Sequence, residues 1–496
     1  MSATVAIQLT IAIPLAGAVL IALTGRWPNP REGVTLTTAG LLFLTVLSLL
    51  PAVAGGARPT ATLIEMLPGL PLAFEVEPLG MLFGLVASGL WIVNSIYSIG
   101  YMRGNGEANQ TRFYVCFAVA LASTMGVAFA SNMFTLFVFY EALTLSTYPL
   151  VTHKGTDEAM RAGRTYLGML LGTSIGLQLL AILWTWQVAG TLDFTAGGVL
   201  AGKAEGPIVG VMLLLYVYGI GKAALMPLHR WLPAAMVAPT PVSALLHAVA
   251  VVKAGVFTVL KVVIYIFGLD FLHGTGYGEW LAYIAAASLL AASLIALSKD
   301  NLKARLAYST ISQLAYIVLG AALANGLGVI GGGMHIATHA MGKITLFFCA
   351  GAIYTATHKT EVSEMSGLGR VMPFTFGAFM IAALSIIGLP PMGGLWSKWY
   401  LALGALEDNQ LLLVGALMAS SLLNIAYLMP IPLRGFFGKA PGNPGAAPGA
   451  APGATVAIKE APLPCLIAIG VTAAGCIVLF FVPDLIVNLL APIAAP

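Results

Sequence analysis

Charge is the scarce ingredient of this sequence. Asp, Glu, Lys and Arg together supply 8% of its 496 residues, against about 25% in an ordinary soluble domain. That scarcity excludes a water-exposed globular fold. The net charge of +4 is a by-product of where the basic residues sit, and no nucleic-acid partner is expected. Cysteine is almost as rare. Cys116, Cys349, Cys465 and Cys476 are scattered through apolar stretches without CxxC spacing, which argues against a disulfide framework, a zinc site and an iron–sulfur site. They read as buried small hydrophobes. Dinucleotide fingerprints and phosphate loops are also missing. No cofactor is expected, and the chain carries no redox machinery of its own.

What the sequence has is long apolar runs. With 59% hydrophobic residues, stretches of about 20 residues, the length that crosses a bilayer, recur from end to end. They predict an all-α polytopic membrane protein with about fourteen spans, among them 131–152, 207–230, 240–268, 329–355, 371–404 and 462–490. The first run lacks a basic start and is followed by Arg26, so it reads as an uncleaved span rather than a signal peptide. Sixteen of the 23 Lys and Arg fall in alternate loops, while the other loops hold only Arg58 and Lys203. By the positive-inside rule the basic loops face the cytoplasm. A plasma-membrane (inner-membrane) location with both termini outside follows. The remaining five, Lys222, Lys253, Lys261, Lys343 and Lys398, lie inside spans.

A lysine at the centre of a spanning helix costs about 2.5–3.5 kcal/mol on insertion scales, so these five need a reason. The stretch GKAALMPLHRWLPAAMVAPTPVSALLHAVAVVKAG, residues 221–255, holds Lys222 and Lys253 together with His229, His247, Pro227, Pro233, Pro239 and Pro241. Proline leaves a backbone carbonyl unpaired, which lipid tolerates only where protein or water takes it up. Broken helices at the midplane point to an ion site. Lys398 repeats the device beside Pro390 and Pro391. Lys261 lies nearer the outer end and reads as a snorkelling anchor.

Glu141, in SNMFTLFVFYEALTLSTYPLVTHK, is the one acidic residue placed near the middle of a span. It reads as a titrating acid paired with an intramembrane lysine, in preference to a neutral carboxyl bonded to Tyr140, Thr144 or Tyr148. His335, His339 and Lys343 follow at i, i+4, i+8 and share one helix face. Three titratable groups stacked in an apolar helix suit a proton relay. Zinc would suit the two histidines, but the adjacent lysine and the lack of a nearby carboxylate or thiol argue against it. Elsewhere the bland readings hold. Residues 1–77 are scaffold with ordinary loop charges at Arg58, Glu65, Glu75 and Glu77. Asp157 and Glu158 suit a helix N-terminus. Residues 438–461, rich in Pro, Gly and Ala, predict a flexible cytoplasmic loop.

Five ordered motifs carry a resemblance: FYEALTLSTYPLV, KAALMPLHRWLPAAMVAPTPVSALLHAVAVVKAG, KDNLKARLAYSTISQLAY, HIATHAMGK and GLPPMGGLWSK. Over roughly residues 75–435 the chain resembles the antiporter-like subunits shared by respiratory complex I, Mrp-type multisubunit cation/proton antiporters and membrane-bound hydrogenases. The resemblance implies fourteen helices with two inverted five-helix repeats and broken seventh and twelfth helices. Residues 1–110 would then hold helices 1–3, 111–270 the first repeat, 271–437 the second, and 462–496 the last helix. It further implies that Glu141 and Lys222 form a pair and that Lys253 is the central lysine. His335, His339 and Lys343 would connect to Lys398 at the exit. The D-type Mrp subunit fits Lys398, and the short C-terminus departs from the long distal subunit with its lateral helix. The implied partners are other antiporter-like and small membrane subunits, the bilayer, and protons. With a single mid-membrane carboxylate no sodium cage is evident, so sodium would cross elsewhere in such a complex.

Overall fold

The computed structural model describes residues 2–438 and 457–494, and the chain they form is helical almost throughout. Among these residues, ten helices are long and apolar enough to cross a membrane. An eleventh is added if Val251–Phe267 and Leu269–Thr275, bent by 85° at their junction, count as one span. Three shorter apolar helices, Pro207–Gly219, Pro373–Ile387 and Pro483–Ala494, complete the set. The fourteen expected from hydropathy are therefore not reached by long helices alone, because broken spans divide the apolar runs. Polar residues mask another: Leu302–Ala322, here the Gln313 helix, spans 21 residues but carries Ser309, Thr310, Ser312 and Gln313.

The helix Gly326–Thr357, 32 residues long, is the axis of the molecule; 94% of its most apolar window is buried. It packs against the Gln313 helix, against Gly394–Glu407 (the Lys398 helix) and against Leu463–Phe481. We refer to it as the histidine helix. The peripheral helices Leu411–Phe437 and Leu463–Phe481 are buried over only a third of their apolar windows. Leu411, Leu412 and Leu422 stand outward there, as lipid-facing side chains do.

Both expected breaks are present. Pro207–Gly219 ends before a short turn, Gly221–Ala223, and the chain does not resume a helix until Trp231. The indole N–H of Trp231 donates to the carbonyl of Gly221 at 3.0 Å, satisfying a group that the break sets free. The second break separates Pro373–Ile387 from Gly394–Glu407. A Cβ at Gly394 would overlap the Ser385 carbonyl oxygen, so only glycine lets the two halves meet so closely.

Four expectations need correction. The loop after the second span is a β-hairpin, Thr60–Leu67 paired antiparallel with Leu70–Glu75. Its second strand is tied to the core where Glu75 N–H donates to the Phe129 carbonyl. The last span divides into Leu463–Phe481 and Pro483–Ala494, since Pro483 cannot donate to a continuing helix. Glu77 is no ordinary loop charge: it is buried, and its carboxylate caps Pro78–Gly104 by accepting the N–H groups of Leu79 and Gly80, each at 2.7 Å. Lys261 does not snorkel. It is buried, lies 3.5 Å from Glu77 and donates to the Ala130 carbonyl at 2.9 Å. Asp157 and Glu158 open a helix as expected, and Thr156 supplies its cap. Most of the expected flexible loop 438–461 lies outside the described residues.

Candidate functional site

Lys253, Lys343 and Lys398 line one seam around the histidine helix, Lys222 lies in a turn packed against the helix of Lys253, and each of the four is held without a carboxylate in contact. Lys222 sits in the turn of the first break, fully buried. Its Nζ donates to the Tyr140 carbonyl at 2.8 Å and to Thr144 Oγ1 at 2.6 Å. The ring of Tyr140 lies beneath it, 3.1 Å from nitrogen to centroid. Tyr140 and Thr144 belong to Met133–Val151, the helix that also carries Glu141. Among the described residues Glu141 makes no ion pair within 4 Å, and neither of its buried carboxylate oxygens has a hydrogen-bond partner. The expected pairing of Glu141 with Lys222 is therefore not a direct contact: Tyr140 and Thr144, candidate partners for the acid, bond the lysine instead.

The Lys253 helix, Val251–Lys261, passes directly behind the first break. A Cβ at Gly255 would overlap the backbone of Lys222 and Ala223. Lys253 itself is fully buried, and its Nζ lies 2.6 Å from Nδ1 of His339. Here the i, i+4 spacing of the histidine helix takes effect. The rings of His339 and His335 stack 5.7 Å apart at 17°, and His335 stacks in turn on Tyr316 at 5.5 Å and 22°. Tyr316 lies 4.6 Å beneath the Lys398 ammonium. The result is a continuous run of contacts, Lys253–His339–His335–Tyr316–Lys398.

Lys398 is tethered by the break beside it. Its Nζ donates to the Ile387 carbonyl, the last of the preceding half-helix, at 3.0 Å, and to Ser421 Oγ at 3.1 Å. Lys343 shares the helix face of the two histidines but turns to another helix, donating to Ser309 Oγ at 2.8 Å. Ser309 also accepts from the hydroxyl of Tyr427 at 3.0 Å. His335 Nδ1 lies 2.8 Å from Ser397 Oγ. His229 is not part of this run. It is half-buried in the turn after Pro227, with Nδ1 3.1 Å from the Pro227 carbonyl. The side chain of His247 lies outside the described residues.

A run of amines, imidazoles and hydroxyls linked by hydrogen bonds and ring stacking, buried except for the half-buried Lys398 at its end, has the parts for passing protons. Residues 130–424 match the family described as NADH:quinone oxidoreductase/Mrp antiporter, TM. The chain belongs to that family. Among curated relatives it is 34% identical to the NADH-quinone oxidoreductase subunit N of Desulforudis audaxviator, over 86% of this chain and 84% of that protein. It is 31% identical to a probable K⁺/H⁺ antiporter component from Rhizobium meliloti, covering 80% of this chain and 40% of that one. Its fold matches a chain of the Mrp complex from Dietzia sp. with a TM-score of 0.87 at 22% identity, covering 100% of this chain and 97% of the other.

For a member of the NADH:quinone oxidoreductase/Mrp antiporter family, the residues missed by sequence reasoning are the neutral ones. Tyr316, Ser397, Ser309 and Ser421 join the titratable groups, and Tyr140 and Thr144 seat Lys222. Tyrosines, serines and threonines are ordinary in an apolar helix, where hydroxyls satisfy themselves on the preceding turn. A usable signal was the motif YSTISQLAY, which puts Ser309 and Tyr316 seven residues apart on one helix face.

Proposed function

We propose that this chain is the proton-translocating subunit of a multisubunit Mrp-type Na⁺/H⁺ antiporter, assembled with other antiporter-like and small membrane subunits in the plasma membrane. Protons are taken up from the basic, cytoplasmic side near His247 and Lys253. They pass along His339 and His335, with Lys343 and Lys222 exchanging charge with this run, and leave at Lys398. Glu141 biases Lys222 from a distance, so that moving charge between Glu141–Lys222 and Lys222–Lys253 alternates the lysine between holding and releasing its proton. Sites so close titrate as a set. The observation that supports this reading best is the run of contacts from the buried Lys253 through His339, His335 and Tyr316 to the half-buried Lys398. Lys261 has a structural partner in Glu77, but a scaffold without ion flux need not retain the other four intramembrane lysines at a cumulative cost of about 10–14 kcal/mol.

The test is proton flux in proteoliposomes holding the whole complex. Lys222→Ala, Glu141→Ala and Lys398→Ala are expected to lower flux while leaving assembly intact. Wild-type flux in all three would end the proposal. The similarity to an NADH-quinone oxidoreductase component over most of both chains favours a second reading, the proton-pumping subunit of a redox-driven complex. The purified assembly separates them: flux driven by a sodium gradient alone supports the antiporter, and flux that requires electron transfer supports the redox complex.

A further inference from the structure

A buried group in the core of the molecule has no role so far. Gln313 has no exposed surface, and among the described residues neither its amide oxygen nor its amide nitrogen has a hydrogen-bond partner. An unsatisfied buried amide is costly and rare enough in native proteins to need an explanation. A leucine would pack as well there without the penalty.

Its position supplies the explanation. The Gln313 helix and the histidine helix are consecutive and antiparallel, and three contacts fix their register. Lys343 reaches Ser309 at 2.8 Å. Tyr316 stacks on His335. Near the far end, a Cβ at Gly320 would meet the Cα of Gly332 at 3.4 Å. Each step along one helix is matched by a step back along the other. Gln313, four residues past Ser309, is therefore level with His339, four residues before Lys343. Ser309, Gln313 and Tyr316 occupy one face at i, i+4, i+7. That face touches Lys343 at one end and His335 at the other, so the amide stands between the two branches of the seam. Lys253–His339 lies on one side and Lys343–Ser309 on the other.

We propose that Gln313 is a positioning residue that joins these two branches. Its amide offers both a donor and an acceptor, and it orients a bridging water between the His339 imidazole and the Lys343 ammonium. An amide does not exchange its own protons on this path; it fixes the direction of the hydrogen-bonded link, and the water carries the proton. The inference rests on the proton-path reading above and adds to it the route by which Lys343 communicates with Lys253.

The experiment uses the intact complex in proteoliposomes, with assembly followed by co-purification of the neighbouring subunits. Four variants are compared: Gln313→Leu, Gln313→Glu, Lys253→Ala and Lys343→Ala. Gln313→Leu keeps the bulk and removes both hydrogen-bonding atoms; its flux is expected to fall about tenfold, the factor equal to about 1.4 kcal/mol in a barrier. Gln313→Glu keeps the shape and an acceptor but adds a titrating group; it is expected to retain flux with a displaced pH profile. A purely structural residue would not displace that profile, and this variant decides the matter should the leucine variant fail to assemble. Loss of flux in Lys253→Ala and Lys343→Ala, with Gln313→Leu within twofold of wild type or Gln313→Glu keeping the wild-type pH profile, overturns the inference alone. Wild-type flux in Lys253→Ala and Lys343→Ala overturns the underlying reading.

Discussion

The Nζ of Lys253 and the Nδ1 of His339 are 2.6 Å apart, a direct contact between two groups that both titrate. A hydrogen bond of this kind needs one partner to donate and the other to accept, so only one nitrogen can carry the shared proton at a time. It comes from two helices remote in sequence, and the stack of His339 on His335 holds the imidazole in place. Handing a proton across it requires no movement of either backbone.

The first prediction follows directly. His339→Ala removes the hydrogen-bond partner of Lys253 while leaving the lysine buried. Proton flux through the assembled complex is expected to fall about a hundredfold, the lower end of what a positioned acid–base group contributes. The measurement is vesicle acidification per copy of complex. Flux within threefold of wild type would remove His339 from the path.

A second concerns Glu77 and Lys261, a loop charge and an interfacial anchor by sequence that the fold brings together in the interior. Glu77 accepts two backbone N–H groups and lies within 3.2 Å of the Tyr265 hydroxyl as well as 3.5 Å from Lys261. A carboxylate so fully engaged is a strap between helices. Glu77→Ala should destabilise the protein by about 3–5 kcal/mol, the cost of leaving a buried charge unpartnered. The double change Glu77→Gln with Lys261→Met should recover much of that loss. Thermal unfolding in detergent reads the stability, and flux per folded complex should stay at the wild-type level throughout.

The third uses the close approach behind the first break. Gly255→Ala forces a methyl group into the backbone that carries Lys222. Overpacking of this kind costs about 1–3 kcal/mol, and here the displaced atoms belong to Lys222, so under the proposed proton path flux should drop about tenfold or more. Gly168→Ala, in Asp157–Thr173 where a Cβ meets nothing within 4 Å, is the control and should leave flux unchanged. Equal behaviour of the two variants in the same flux assay would show that the approach is not critical.

Much of this was legible in the sequence, for an energetic reason. A lysine in an apolar run is expensive enough to stand out, so Lys222, Lys253, Lys343 and Lys398 could be picked without any structure, as could the two proline-marked breaks. The i, i+4 spacing of His335 and His339 likewise announced a shared face. Hydroxyl residues cost little inside a membrane helix, and for that reason Tyr316, Ser309 and Ser421 gave no warning that they complete the seam. Direction was also illegible: nothing in FYEALT tells that Tyr140 and Thr144 turn to Lys222 while the carboxyl of Glu141 stays unpartnered among the described residues. The capping role of Glu77 had a readable cue, since an acid followed by Pro78 is a common way to open a helix. The hairpin Thr60–Glu75 had little, because its short apolar strands between proline and glycine also read as loop.

The way Lys398 is seated has one more implication. Its contacts are a main-chain oxygen, a serine hydroxyl and the face of an aromatic ring, all of them electrically neutral. An amine that has shed its hydrogen ion still has two hydrogens to offer the same oxygens, and no stranded negative partner is left behind to pull the surroundings out of shape. The seat therefore fits the loaded and the empty form alike, and switching between them calls for no rebuilding of the walls.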